Sequence, residues 1–229
     1  MGLTTIKMFA IDIDGVLLID TFSPVLKKLV TKWGFQYTSE IERNTFSRPR
    51  HQAAQYIINY CKLSYSIEEI LEIYFQERTL YLKDYDNIIC QGTRQLLDIL
   101  IQLDLRVICY GGFPKSHFHN ELEDYVSYFE DYICTNEFRP GIKEITKDIY
   151  NYQYSEICFI DDVNTVAENA KHLNVPFIGV PSKETWSFQK NDMAKTGVRY
   201  LVDSINDINE LLILRIDNDV TNGDVWSLT

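Results

Sequence analysis

The stretch MFAIDIDGVLLID, residues 8–20, constrains this chain more than any other. Four apolar residues run into Asp12, one more separates it from Asp14, and Gly15 then breaks the extended pattern. An apolar run ending in acids and a glycine reads as a buried parallel strand with chemistry at its carboxyl end. Ligands of open α/β sheets bind at that edge. Side chains at i and i+2 of a strand share a face, so both acids can be aimed into one crevice. Two like charges that close call for a cation, a shared proton, or both. Asp-Gly is also a common turn dipeptide, and at this point a polar turn accounts for the acids equally well.

The rest of the chain alternates. A strand is predicted over 5–12. Ser23-Pro24 reads as an N-cap with proline at the first helical position, followed by Val25, Leu26, Leu29, Val30 and Trp33 at helical spacing. Residues 51–62 and 66–82 carry helical periodicity, the second opened by a Ser66-x-x-Glu69 capping box. From 93 onward helices (93–103, 120–129, 143–150, 166–173, 207–214) alternate with strands (106–110, 132–135, 157–160, 176–180, 200–202). This predicts an α/β fold, a doubly wound, parallel-sheet (Rossmann-like) core with an inserted α-helical cap. The core is assigned to 1–19 and 86–216 and the cap to 20–85. Residues 217–229, DNDVTNGDVWSLT, read as a polar, loosely held tail.

Bulk properties narrow the partners. A net charge of −11 argues against nucleic acid or an anionic membrane surface. No apolar stretch approaches the ~20 residues of a membrane span, and MGLTTIKMFA lacks the build of a signal peptide. Five dispersed cysteines (61, 90, 109, 134, 158) read as reduced, buried thiols, which makes a cytoplasmic location the expectation.

ICFIDDV, 157–163, repeats the opening theme of an apolar strand ending in carboxylates. If the two strands are neighbours, Asp12, Asp14, Asp161 and Asp162 converge. The resolution of so much negative charge is a hard divalent ion with oxygen ligands, Mg2+ above all.

On these motifs the chain resembles the haloacid dehalogenase superfamily, in its phosphatase-like subclass with a helical cap inserted after the first motif. Residues 12–17, DIDGVL, match the first motif, and 159–162, FIDD, the fourth. The resemblance implies Asp12 as the nucleophile that takes a phosphoryl group and Asp14 as the general acid and base. It also implies Asp12, the backbone carbonyl of Asp14 and Asp162 as Mg2+ ligands, with Asp161 in support. Two phosphate-gripping motifs depart from the family. Gly111-Gly112 stand where a Ser or Thr is expected, leaving backbone N–H groups to meet the anion. The Tyr110 hydroxyl is one replacement donor, and a serine restored at Gly111 is expected to raise turnover. Arg139, followed by Pro140, replaces the usual lysine, with Lys143 as the alternative. In the cap, Arg48, Arg50 and His51 precede or open a helix and are candidates for substrate contact. Lys115, His117 and His119 could line the entrance, while Tyr56, Tyr60, Tyr74 and Phe75 read as cap core.

The expected activity is Mg2+-dependent hydrolysis of a small phosphorylated metabolite through an aspartyl-phosphate. The alternative is a catalytically weakened protein that binds a phosphorylated ligand or a protein partner. Neither substrate nor oligomeric state follows from the sequence.

Overall fold

The computed structural model describes residues 2–226. After β1 (Met8–Asp12) come four helices, α1 (Phe22–Lys32), α2 (Ser39–Thr45), α3 (Arg50–Tyr60) and α4 (Ile67–Leu82). Next are α5 (Thr93–Gln102), β2 (Arg106–Gly111), α6 (Lys115–Glu121), β3 (Tyr132–Cys134) and β4 (Ile157–Asp161). Then follow α7 (Asn164–Leu173), β5 (Phe177–Gly179), α8 (Gln189–Thr196), β6 (Tyr200–Leu201) and α9 (Glu210–Thr221). The described strands form one parallel sheet in the order β3-β2-β1-β4-β5-β6. This is the doubly wound α/β core with a helical insertion that the periodicity predicts. The strand order reverses at β1, which lies between β2 and β4, and a crevice opens at such a switch point.

Alternate strand residues face opposite layers. Phe9, Ile11, Cys109 and Ile160 pack with Leu97 and Leu100 of α5 and Ile213 and Ile216 of α9. Met8, Ala10, Ile108 and Phe159 pack with Val166, Ala167 and Ala170 of α7. With both faces covered, the strands carry continuous apolar runs rather than an alternating pattern. Cys61, Cys109 and Cys158 are buried free thiols, but Cys134 is exposed and Cys90 is half-buried.

The insertion joins the core through a two-stranded stem. Ile19 N–H donates to Ile88 O and Cys90 N–H to Leu17 O, both at 2.8 Å, and Leu18 bridges Ile89 antiparallel. The start of α1 differs from expectation. Thr21 is its N-cap residue, and the Asp20 carboxylate accepts from Phe22 and Ser23 N–H at 2.9 and 3.0 Å. Asp20 outcompetes Ser23 as a cap because an anion meets two orphan donors there. The Ser66–Glu69 capping box forms as predicted.

Two helices have no sequence signal. In α2 the buried set includes Glu42, whose Oε2 accepts from Phe188 N–H and Gln189 Nε2 at 3.1 and 2.7 Å, so a charge occupies an inward position. In α8 only Gln189 and Met193 are buried. The 143–150 helix is a π-helical turn, Glu144–Ile149, and 120–129 splits into the end of α6 and a 3-10 turn, Glu123–Tyr128.

The expected loose tail from 217 is a correction. α9 continues to Thr221, and the buried Asp217 carboxylate accepts from Thr4, Thr5 and Ile6 N–H at 2.7, 2.9 and 2.7 Å. Trp226 Nε1 donates to Val175 O at 3.0 Å and stacks on Phe177. The polarity that suggested a tail belongs to groups with partners: Asp217 and Thr221 pair with the chain before β1, and Asp219 with Tyr200 and Arg199. Residues 227–229 lie outside the described residues.

Candidate active site

The sheet register assembles the site. Ile11 pairs with Ile160, so the next residues, Asp12 and Asp161, end neighbouring strands at one level. Asp12 pairs with Tyr110 on the other side. Counting alternate residues, Asp12, Tyr110 and Asp161 share the face of Met8, Ile108 and Phe159. The Tyr110 hydroxyl donates to Asp161 Oδ2 at 2.5 Å. Asp161 Oδ1 accepts from Val163 N–H at 2.8 Å.

Beyond β1 the chain turns sharply. Gly15 has φ +100°, and a Cβ there would fall 2.3 Å from Asp162 Oδ2. Only glycine combines that backbone with that closeness. Leu18 N–H donates to Ile13 O and Gly15 N–H to Leu18 O, both at 2.8 Å, closing the loop that carries Asp14.

Asp14 is met from two sides. His117 Nε2 of α6 lies 3.3 Å from its Oδ1, and Arg78 Nη2 of α4 lies 3.8 Å away. Arg78 also donates from Nε to Thr21 Oγ1 at 3.0 Å. Its guanidinium lies 5.2 Å from the centre of the Phe113 ring, against which His117 packs at 4.5 Å.

Asp12, Asp161 and Asp162 are buried, and the electrostatics follow. Burial, then the neighbouring Asp161, raises Asp12 well above the usual carboxylate range, against the opposing Arg139 charge. Burial, then Asp161, Asp20 and Asp12, raises Asp162 likewise. Asp161 is pushed up to about 6 by burial, with the Tyr110 and Val163 hydrogen bonds and Arg139 holding it down.

A cavity of about 140 Å³ opens on these acids and runs between the strand ends and the insertion. It brings together Asp12, Asp14, Asp161, Asp162, Gly112, Arg139, Arg48 and Arg50. Three candidate residues are absent from its lining. Lys143 is exposed before the π-helical turn, and His51 is exposed on α3. Gly111 is buried in β2, and a Cβ on it would meet Ile13 Cγ2 at 2.5 Å and Tyr132 Oη at 2.9 Å. Ile13, between the two acids, thus fills the space a side chain at 111 would need. A serine there would have to displace Ile13 and the Tyr132 hydroxyl before it could restore a phosphate contact. The Tyr110 hydroxyl is engaged with Asp161.

Arg139 lies against Gly112, where a Cβ would come 2.3 Å from its Nη2. Arg50 N–H and Nε both reach Asn136 Oδ1, at 3.1 and 3.2 Å, tying the start of α3 to the loop after β3. Lys115 pairs with Asp131, and His119 is exposed. Of the cap aromatics, Tyr56 and Tyr60 pack in the insertion's own core, Tyr74 lines the cavity, and Phe75 meets Phe113. Arg78, Asp20 and Phe113 escaped the sequence reading. A polar residue on an amphipathic helix carries no mark of the distant loop it will face.

Among the described residues no three His, Cys, Asp or Glu side chains are placed to hold a metal ion. The four-carboxylate cluster is therefore narrower than expected, because both Asp161 oxygens accept hydrogen bonds and Asp14 faces His117 and Arg78. Asp12 and Asp162 remain at the cavity as hard oxygen donors whose charged forms burial disfavours. Two hard carboxylate donors with water to complete the shell are a donor set that fits Mg2+.

No protein-family model matches the sequence, and no curated protein does. Solved structures do match. β-Phosphoglucomutase from Clostridium difficile superposes with TM-score 0.70 at 19% identity, covering 95% of this chain and 100% of that one. A predicted phosphatase from Clostridium acetobutylicum gives TM-score 0.62 at 18% identity over 92% and 99%. A haloacid dehalogenase-like protein from Agrobacterium tumefaciens gives 0.64 at 13% identity over 92% and 99%. The resemblance carried by the two acid motifs thus holds across the whole architecture, and the chain has the fold of the haloacid dehalogenase superfamily.

Proposed function

We propose that this chain is a Mg2+-dependent phosphohydrolase acting on a small phosphorylated metabolite, with the helices of residues 20–85 serving as its cap. The observation that carries the reading is the β1–β4 pairing, which sets Asp12 beside the Asp161-Asp162 pair at one cavity. The names of two structurally similar proteins, a phosphoglucomutase and a predicted phosphatase, support phosphoryl chemistry.

In this reading an Asp12 oxygen attacks phosphorus and becomes an aspartyl-phosphate. Asp14 gives a proton to the departing oxygen and later takes one from the attacking water. His117 and Arg78 orient Asp14, and Tyr110 and Val163 N–H fix Asp161. Arg139 and the backbone at Gly112 receive the phosphoryl oxygens. Mg2+, held by Asp12, Asp162 and the Asp14 carbonyl, would neutralise phosphate charge.

The test is phosphate release from a phospho-metabolite panel with Mg2+. Asp12→Asn and chelation should each abolish it. Wild-type protein that releases nothing, while Asp12→Asn still binds a phosphorylated ligand as tightly, would leave the binding-only alternative. The absence of a hydroxyl at 111–112 favours that alternative.

A further inference from the structure

Buried side-chain oxygens are normally paired, and each one left alone calls for an explanation. Three such oxygens belong to residues that line the cavity: Tyr74 Oη of α4, Asp20 Oδ2 just before α1, and Ser47 Oγ between α2 and α3. Each is buried without a hydrogen-bond partner. The fold does not require them in that state. Asp20 caps α1 through Oδ1, which takes both Phe22 and Ser23 N–H, and its second oxygen adds nothing to that cap. Thr21, beside the Tyr74 hydroxyl, is engaged by Arg78 Nε at 3.0 Å. The three residues border one space. Asp20 acts electrostatically on both Asp162 and Tyr74, and Tyr74 also feels Asp14, so both stand near the reacting end. Phe22 packs against Tyr74 at 5.6 Å and against Phe46, the residue before Ser47, at 5.2 Å. Leu29, Ile57 and Ile70 add apolar wall. An apolar cavity of about 150 Å³ takes a benzene ring. The whole cavity here, from the acids to the helices, measures about 140 Å³, and the phosphoryl group must share it with the leaving group. What remains suits a leaving group of only a few carbons.

Resting on the phosphohydrolase reading above, we propose that the leaving group is a short polyol whose free hydroxyls pair with Tyr74, Asp20 and Ser47, so that the substrate is a polyol phosphate monoester. An alcohol hydroxyl both donates and accepts. It can donate to the Asp20 carboxylate and take either role with the Tyr74 and Ser47 hydroxyls, while its C–H groups rest on Leu29, Ile57 and Ile70. An alkyl chain of the same length would fill the same space and leave the three oxygens unpaired, which is penalised. As the Asp12 oxygen bonds to phosphorus, the bond from phosphorus to the polyol oxygen breaks, and Asp14 protonates that oxygen. Water then attacks phosphorus, Asp14 takes its proton, and phosphate leaves with the Asp12 carboxylate restored. One ester and one water become one polyol and one phosphate. Tyr74, Asp20 and Ser47 read the leaving group away from the reacting atoms.

The experiment measures kcat/KM of the wild-type, Mg2+-loaded protein for glycerol 1-phosphate, n-propyl phosphate, glucose 6-phosphate and acetyl phosphate. Glycerol 1-phosphate has the carbon chain of propyl phosphate with added hydroxyls. It should exceed propyl phosphate by about a hundredfold or more, since a site built to bond a hydroxyl rejects the analogue without it, and it should exceed the longer glucose 6-phosphate. Hydrolysis of acetyl phosphate with no preference for glycerol 1-phosphate over either of those esters overturns this inference alone. No release from any of the four takes down the phosphohydrolase reading, and this inference with it. Tyr74→Phe removes one of the oxygens and keeps the ring against Phe22. It should lower the glycerol-to-propyl phosphate ratio about tenfold or more. Its melting temperature should stay the same or rise, because a hydroxyl without a partner takes no bond with it. An unchanged ratio or a clear fall in melting temperature overturns the inference.

Discussion

Tyr110 on β2 reaches across β1 to Asp161 on β4, donating its hydroxyl at 2.5 Å to a carboxylate two strands away. The bond spans the strand that ends in Asp12. Tyr110→Phe keeps the ring, which packs edge-on against Phe159, and removes only the donor. A buried acceptor left short of a partner costs about 1–3 kcal/mol. Urea unfolding should show that loss, and phosphate release should fall as Asp161 loses its orientation.

Arg78 belongs to α4, yet its guanidinium lies between Phe113 and Asp14. Arg78→Ala should lower kcat roughly tenfold or more, a fraction of the effect of general acid–base catalysis. Arg78→Lys should not rescue, because an ammonium lacks the planar fork that stacks on Phe113 while donating to Thr21. Steady-state kinetics of both variants on one substrate provides the check.

The glycine pair separates into two unlike positions. Gly111→Ser drives a side chain into Ile13 and Tyr132 and should cost about 1–3 kcal/mol through overpacking. Gly112→Ser meets only the far end of Arg139. It should fold at near wild-type stability and raise KM by displacing the guanidinium. Thermal melts of the two proteins, with KM for the second, distinguish the cases.

Asp217 offers a titration away from the active site. Burial alone would raise its pKa, but the N–H groups of Ile6, Thr4 and Thr5 outweigh that and hold the carboxyl below the usual range. A folded pKa below the unfolded value of about 3.9 means the contribution is complete above that value and is lost as pH falls through the folded pKa. Asp217→Asn should therefore destabilise the protein at pH 7 by about 1.5–3 kcal/mol, the worth of hydrogen bonds to a charged group. Its deficit should shrink toward pH 2. Urea titrations at several pH values read the difference directly.

What could be read in the sequence was whatever one continuous segment specifies. The runs ending at Asp12 and Asp161 are each complete within a few residues, and the continuous apolar character of each already implies a strand covered on both faces. The partners of these acids come from elsewhere. His117 stands 103 positions from Asp14, and Tyr110 stands 51 from Asp161. Neither carries a local pattern announcing the contact. The hidden helices fail for a related reason, since Glu42 and Gln189 spend inward positions on polar pairing rather than on apolar burial. Gly111-Gly112 looked like a missing catalytic hydroxyl. At Gly111 the constraint is steric, and it became visible only once Ile13 was seen in the space beside it.

The stem that joins the insertion to the core also bears on how the cavity would open. Leu18 bridges Asp14 on one side and Ile89 on the other, while Leu17 and Ile19 bond the returning strand at Cys90 and Ile88. Covalently the helices hang from this ribbon alone, while the Arg50–Asn136 and Glu42–Gln189 bonds clasp them to the core elsewhere, so a swing about the ribbon would have to release those bonds. The loop that carries Asp14 is the short arm of the same lever. Lifting the helices would shift Asp14, and lowering them would return it to His117, so that access to the cavity and the placing of this carboxylate would be one mechanical event.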